Sequence, residues 1–326
     1  MRRWWNWSLP LSSFPRRSEA VATYVVGTDI GSAWLAAFRA LDAQKGSVVN
    51  LAVDITSPTT EDLGVRRAIE ETLADLRDTH RVANAQSMHT VANTVFPISL
   101  YRPGSDGAAA RFIANALKGE QNRGHAARRQ WGTYLGRLVA YPARDGGTTN
   151  QLAVSLDRLS AKGKEWSDLY EMPITRPDGD HDEPDWEALP PDLPATVGAV
   201  LHGDTRLDAR RRGGPCLAHI SLTLEHGVVS MLALYRRHSY VTRAYGNFLG
   251  LARLLYFLAH ESGHEIGNLM VVTGHATVDA PGRGELLAAA ESAAGSPTPI
   301  EVGTRALGST WSDLELRPPL VKASTS

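Results

Sequence analysis

The last third of the chain constrains the fold more than any other part. Leu217 to Leu224 and Val228 to Tyr235 are apolar runs of strand length separated by Glu225-His226-Gly227, which reads as a β-hairpin or a pair of neighbouring strands. Phe248 to Glu261 is mostly apolar, so as a helix it has to be buried on most sides. Leu269 to Thr273 reads as a buried strand. Two strands, a buried helix and a further strand in that order predict an α/β structure with a sheet covering the helix.

The upstream chain supplies more elements of the same kinds. Val21 to Val26 and Val48 to Ile55 read as strands, the second ending at Ser57-Pro58. Ala33 to Ala43 and Glu61 to Thr79 read as amphipathic helices, the latter with Ile69, Leu73 and Leu76 on one face. Ala109 to Leu117 and Gln151 to Leu159 are further helical segments. Residues 173–194 are rich in Pro, Asp and Glu, a composition that resists core burial and predicts a long surface loop. The expected organisation is a flexible extension over 1–20, a single domain over 21–315 and a disordered tail over 316–326. Trp4, Trp5 and Trp7 lie among arginines in that extension, for which a membrane-surface or partner contact is the other reading.

Charge and cysteine usage narrow the function classes. The net charge of −1 provides no global field for nucleic acid or an anionic membrane. No run is long and apolar enough to predict a spanning helix. A single cysteine, Cys216, cannot form an intramolecular disulfide, which fits a reducing cytoplasm.

Two chemistries compete for the polar residues. His260-Glu261-Ser262-Gly263-His264 matches H-E-x-x-H, in which two histidines four apart on a helix bind zinc and the glutamate acts as base. Against a zinc hydrolase, Ser262 and Gly263 are poor helix-interior residues and Gly263 suits a helix C-terminus. The place of a third metzincin histidine holds Met270. No metal is therefore expected.

The second chemistry comes from a resemblance. The stretch from Gly132 to Pro142 (GTYLGRLVAYP) with Asn150-Gln151, the pair Leu207-Asp208 leading to Pro215-Cys216, and the segment 217–279 together resemble thymidylate synthase and the pyrimidine hydroxymethylases. Cys216, Arg236, Asn247 and Gly274 fall at the family's relative spacing without a gap. The resemblance implies an α/β fold with a large mixed β-sheet flanked by helices, and a homodimer joined sheet to sheet. It implies Cys216 as the nucleophile that adds to C6 of a pyrimidine nucleoside monophosphate. Nearby arginines (Arg210, Arg211, Arg212 and Arg236) would depress its pKa. Arg236 would hold the phosphate, with Arg237 as a second contact. Asn247 would read a uracil-type edge, although an Asn following Gly246 can also simply cap a helix. Gln151, Thr277 and Asp279 complete the implied substrate site, the last two meeting a sugar hydroxyl. The implied one-carbon donor is 5,10-methylenetetrahydrofolate, and the implied product a methyl or hydroxymethyl group at C5.

The pattern also departs from the family. Leu217 replaces the histidine after the nucleophile, Ser239 the aspartate that orients folate, and His275 the aspartate of the Gly-Asp-x-His strand. Thr277 and Asp279 replace a histidine and a tyrosine. These changes keep a second expectation open, a non-catalytic member that binds a nucleotide or a protein partner.

Overall fold

The computed structural model describes residues 22–79, 82, 85–122, 133–143, 147–161, 170–175 and 215–303. The N-terminal extension, the tail, Arg210 to Arg212 and nearly all of the acidic loop lie outside these residues.

The chain begins with strand β1 (Thr23–Gly27), helix α1 (Ile30–Ala43), β2 (Ser47–Ile55) and a short β3 (Thr60–Glu61). Helices α2 (Leu63–Asp78), α3 (Met88–Val95) and α4 (Ala108–Gln121) follow. Then come α5 (Tyr134–Val139), β4 (Tyr141–Pro142), β5 (Thr148–Thr149), α6 (Gln151–Leu159) and β6 (Tyr170–Pro173). The last part holds β7 (Leu217–Glu225), β8 (Val228–Ser239), α7 (Tyr245–Ser262), β9 (Glu265–Thr277), α8 (Arg283–Ala293) and β10 (Thr298–Pro299). Six strands form one mixed sheet in the order β1-β2-β9-β8-β7-β6. The pairs β1–β2 and β8–β9 are parallel, and the others are antiparallel.

Local chemistry explains these boundaries. Asp29 caps α1 by accepting from Gly31 N (2.8 Å) and Ser32 N (3.2 Å), while Ser32 Oγ accepts from Asp29 N (3.0 Å). Ile30, Trp34, Phe38 and Leu41 then share the buried face of α1. Asp62 caps α2 in the same way through Gly64 N and Val65 N. The β7–β8 hairpin turns on His226 and Gly227, both at positive φ (51° and 79°), as a two-residue turn of matching twist requires. Helix α7 is buried on almost every side and lies over β8 and β9, with α3 packed against its outer side.

Helices α1 and α7 cover the same face of the sheet, and on β8 that face holds Val229, Met231, Ala233 and Tyr235. The opposite face is open. Tyr24, Val26, Leu232 and Leu234 stand on it, with Tyr24 57 % and Leu234 39 % exposed. A hydrogen-bonded group, Tyr24 Oη to Asp54 (3.1 Å) and Asn268 Nδ2 to Asp54 (2.8 Å), crosses three strands on this side.

One irregularity positions the candidate site. Alternation breaks at the same level in three neighbouring strands, where Val49-Asn50 of β2, Gly274-His275 of β9 and Arg236-Arg237 of β8 are all left unburied. Asn50 adopts φ 56° there. Beyond the break, Val48, Ala276 and His238 lie level with one another and are buried. Two consecutive arginines therefore project from β8, and the histidine after them turns into the core.

Candidate functional site

Parallel strands joined by a helix leave a crevice at their carboxyl ends. Here β8 and β9 end at Ser239 and Thr277, α7 begins close by, and β7 starts beside them. Cys216, Arg236, Arg237, His238 and Asn247 gather at this end.

Cys216 is half-buried and immediately precedes β7. Its carbonyl accepts from Arg236 N (2.8 Å). The Arg236 guanidinium folds back on the adjacent carbonyl, donating to Pro215 O from Nε (3.1 Å) and from Nη2. Burial pushes the Cys216 thiol up, while the positive charges of Arg236, Arg237 and Arg243 work in the opposite direction without overcoming it. Tyr134 of α5 closes the other side. Its hydroxyl accepts a long bond from Leu217 N (3.5 Å), and burial together with the nearby Cys216 pushes it up to about 12.

His238 and Asn247 pair in the core at this end of β8. The imidazole lies flat on Tyr235, with ring centres 4.2 Å apart and planes at 4°. Asn247 Nδ2 lies 2.9 Å from His238 Nε2, with both side chains buried. Complete burial disfavours the charged imidazole and lowers His238 to about 3. Asn247 is thus not the helix cap that the preceding glycine suggested. A π-helical turn, Tyr240–Ala244, precedes α7 and places Asn247 inside the helical run.

The remaining expected residues are used differently. Asp279 accepts from Val241 N (2.9 Å), Thr242 N (3.3 Å) and Thr242 Oγ1, so both carboxylate oxygens are engaged at the start of that turn. Gln151 is buried, and its Nε2 donates to Arg137 O and Pro173 O (both 2.9 Å), tying α5 to β6. Thr277 Oγ1 is buried with no hydrogen-bond partner among the described residues, level with Ser239 and Ser47. Arg237 is exposed and lies in register with His275, whose Nε2 meets Ser47 Oγ at 2.9 Å.

The H-E-x-x-H segment does not assemble a metal site. Helix α7 stops at Ser262, and Gly263 adopts φ 78° as its cap. His264 leaves the helix and meets Leu159 O at 2.9 Å. His260 and Glu261 instead share a hydrogen-bonded group with the Tyr101 hydroxyl. Among the described residues no group of three or more His, Cys, Asp or Glu side chains could hold a metal ion. No helix of the described residues is long and apolar enough to cross a membrane.

Three participants escaped the sequence reading. Tyr134 lies inside the GTYLGRLVAYP stretch but carried no assigned role. Strict alternation along β8 turns His238 outward, and only the shared break turns it in. Arg243 sits on the π-helical turn, where its Nη1 donates to Gln86 Oε1, and no local pattern links it to Cys216. Of the protein-family models and the curated proteins compared with the chain, none matches it.

Proposed function

We propose that the chain is a divergent thymidylate synthase-like protein that transfers a one-carbon unit, as methyl or hydroxymethyl, to C5 of a pyrimidine nucleoside monophosphate. The observation that carries this reading is Cys216 at the carboxyl ends of β8 and β9, braced against Arg236 and surrounded by the charges of Arg236, Arg237 and Arg243. A guanidinium pair suits a phosphate dianion, and a cysteine beside it suits addition to C6 of the base. Addition makes C5 nucleophilic toward an electrophilic carbon at the oxidation level of formaldehyde. Loss of the C5 proton with expulsion of Sγ as thiolate restores the ring in the hydroxymethyl product, and a methyl product would need a hydride donor in addition. Arg236 and Arg237 bind the phosphate, Cys216 forms the bond, and Asn247 faces the base.

The proposed donor, 5,10-methylenetetrahydrofolate, comes from the resemblance. Its pterin N–H groups need an acceptor, yet Ser239 holds the place of the expected carboxylate, and Asp279 has both oxygens engaged. The described residues therefore do not fit the pterin, and no step is derived through it. The proposed assembly is a homodimer formed through the open sheet face, whose exposed Tyr24, Val26, Leu232 and Leu234 support it. A cytoplasmic location belongs to the same reading.

Incubation with a 5-fluoropyrimidine nucleotide, with and without methylenetetrahydrofolate, tests the chemistry, because addition of Sγ to C6 does not itself need the donor. Mass spectrometry should find a covalent adduct in the wild type and none in Cys216→Ala. Absence of an adduct with every pyrimidine monophosphate would sink the catalytic reading. A second reading, a nucleotide-binding protein without turnover, is favoured by the raised thiol and the engaged Asp279. Binding that survives Cys216→Ala, with no product from the wild type, would select it.

A further inference from the structure

We propose that Arg253 is the floor of a second binding site, for a carboxylate, where α7 meets α2, α3 and the segment after β10. The proposal does not rest on the nucleotide reading above. Arg253 belongs to α7 and is fully buried. Burial lowers its guanidinium only to about 10, so it stays charged at neutral pH. Nε donates to Glu301 O (2.7 Å), while Nη1 and Nη2 have no hydrogen-bond partner among the described residues. The acids around it are committed elsewhere. Glu61 accepts from Arg66 Nη1 (2.8 Å) and from Tyr245 Oη (3.1 Å), and Glu70 accepts from Arg66 Nε (3.1 Å). Glu301 is exposed and gives Arg253 its backbone carbonyl alone. His89 Nε2 meets Arg66 Nη2 at 2.6 Å, and because a guanidinium can only donate, the imidazole accepts and is neutral.

The unpaired end of the guanidinium sets the ligand class. Its Nη1–H and Nη2–H groups form a planar fork that matches two oxygens of one oxoanion. A buried charge without such a partner is costly, and a methionine would fill the same space without that cost. Arg66 is tied to Glu61, Glu70 and His89 at once, which keeps Glu61 from turning to Arg253 and leaves the fork free. The same two glutamates would repel a second negative charge on the ligand. A monoanionic carboxylate therefore suits the fork better than a phosphate dianion. Arg66 and His89 are the partly exposed members of the group, so the carboxylate enters on their side and its substituent stays there.

Equilibrium dialysis against radiolabelled acetate, at constant ionic strength and neutral pH, tests the site. The wild type should bind a single acetate per chain, saturably. Arg253→Met should bind it more weakly by about tenfold or more, the loss expected for hydrogen bonds to a charged group. Should the methionine variant fail to fold, Arg253→Lys decides, since it keeps the charge without the fork and should show the same loss. Unlabelled acetate should displace the label, and inorganic phosphate at the same concentration should not. Triglycine separates two sources of the carboxylate. Displacement by it supports the proposal with a peptide chain end as the ligand, and displacement by acetate alone supports it with a small molecule. No saturable acetate binding by the wild type, full binding by the Arg253 variants, or equal displacement by phosphate overturns the proposal.

Discussion

Asp279 gives the sharpest separation between a structural and a ligand-binding carboxylate. It accepts from Val241 N, Thr242 N and Thr242 Oγ1, and so satisfies the first donors of the turn that leads into α7. Val241 and Thr242 are only 2 % and 6 % exposed, so water cannot replace the carboxylate. In Asp279→Ala the buried amide of Val241 loses its acceptor, at about 1–3 kcal/mol. The loss of an anion at a helix start adds about 0.3–1 kcal/mol. The expected destabilisation is about 3 kcal/mol. Asp279→Asn keeps one oxygen for the backbone donors and should cost about 1 kcal/mol. Urea unfolding at neutral pH measures both, with the midpoint moving and the slope constant. If Asp279→Ala leaves the midpoint in place while nucleotide affinity falls, the carboxylate serves the ligand, and the capping argument fails.

Three further outcomes follow from buried charge. His238 is lowered to about 3 against an ordinary 6.5, so the unfolded chain binds its proton first. Its contribution is fully present above pH 6.5 and is lost as pH falls toward 3, by about 2–3 kcal/mol between pH 6.5 and 4.5. Urea curves should show that loss in the wild type relative to His238→Gln, and parallel pH dependences would refute it. Arg253 is fully buried, donates from Nε to Glu301 O (2.7 Å), and among the described residues leaves Nη1 and Nη2 without hydrogen-bond partners. Arg253→Met should therefore be neutral or stabilising by about 1 kcal/mol in the same assay, whereas a loss of about 3 kcal/mol would show a buried pair broken. Arg243→Gln should slow iodoacetamide alkylation of Cys216, the only cysteine, by about two- to tenfold at pH 8, with Arg243→Lys close to wild type. Equal rates would remove Arg243 from the thiol's surroundings.

Local periodicity carried much of the fold. Gln151–Leu159 is a helix with the expected bounds, and the β7–β8 pair stands where two apolar runs flank a turn. The failures have physical causes. β9 runs from Glu265 to Thr277, well beyond the apolar core of Leu269 to Thr273. Gly267, Asn268, Gly274 and His275 look like strand breakers in isolation, but His275 pairs with Val49 and Arg237, and the paired residues that flank Gly267-Asn268 and Gly274 carry the strand through them. Helix α8 is rich in alanine and buries only Leu286 and Ala290, so it shows little apolar stripe. Helix α3 is short, and its packing against α7 supplies the stabilisation its length cannot.

The site divides along the same line. Residue identities at fixed spacing placed Cys216 beside Arg236, because adjacent antiparallel strands joined by a tight turn leave little freedom of register. Non-local contacts decided the rest. Asp279 reaches back across α7 and β9 to the turn before α7, which moves Asn247 from a cap position into the helix. The protonation state of Cys216 is a further case. A row of arginines in the sequence argues for a depressed thiol, but the covering side chains withdraw the sulfur from water, and burial outweighs Arg236, Arg237 and Arg243 together. Under the proposed function a bound phosphate would neutralise part of the charge of Arg236 and Arg237. Arg243, which approaches from the helical side of the site, would then supply most of what still favours the thiolate.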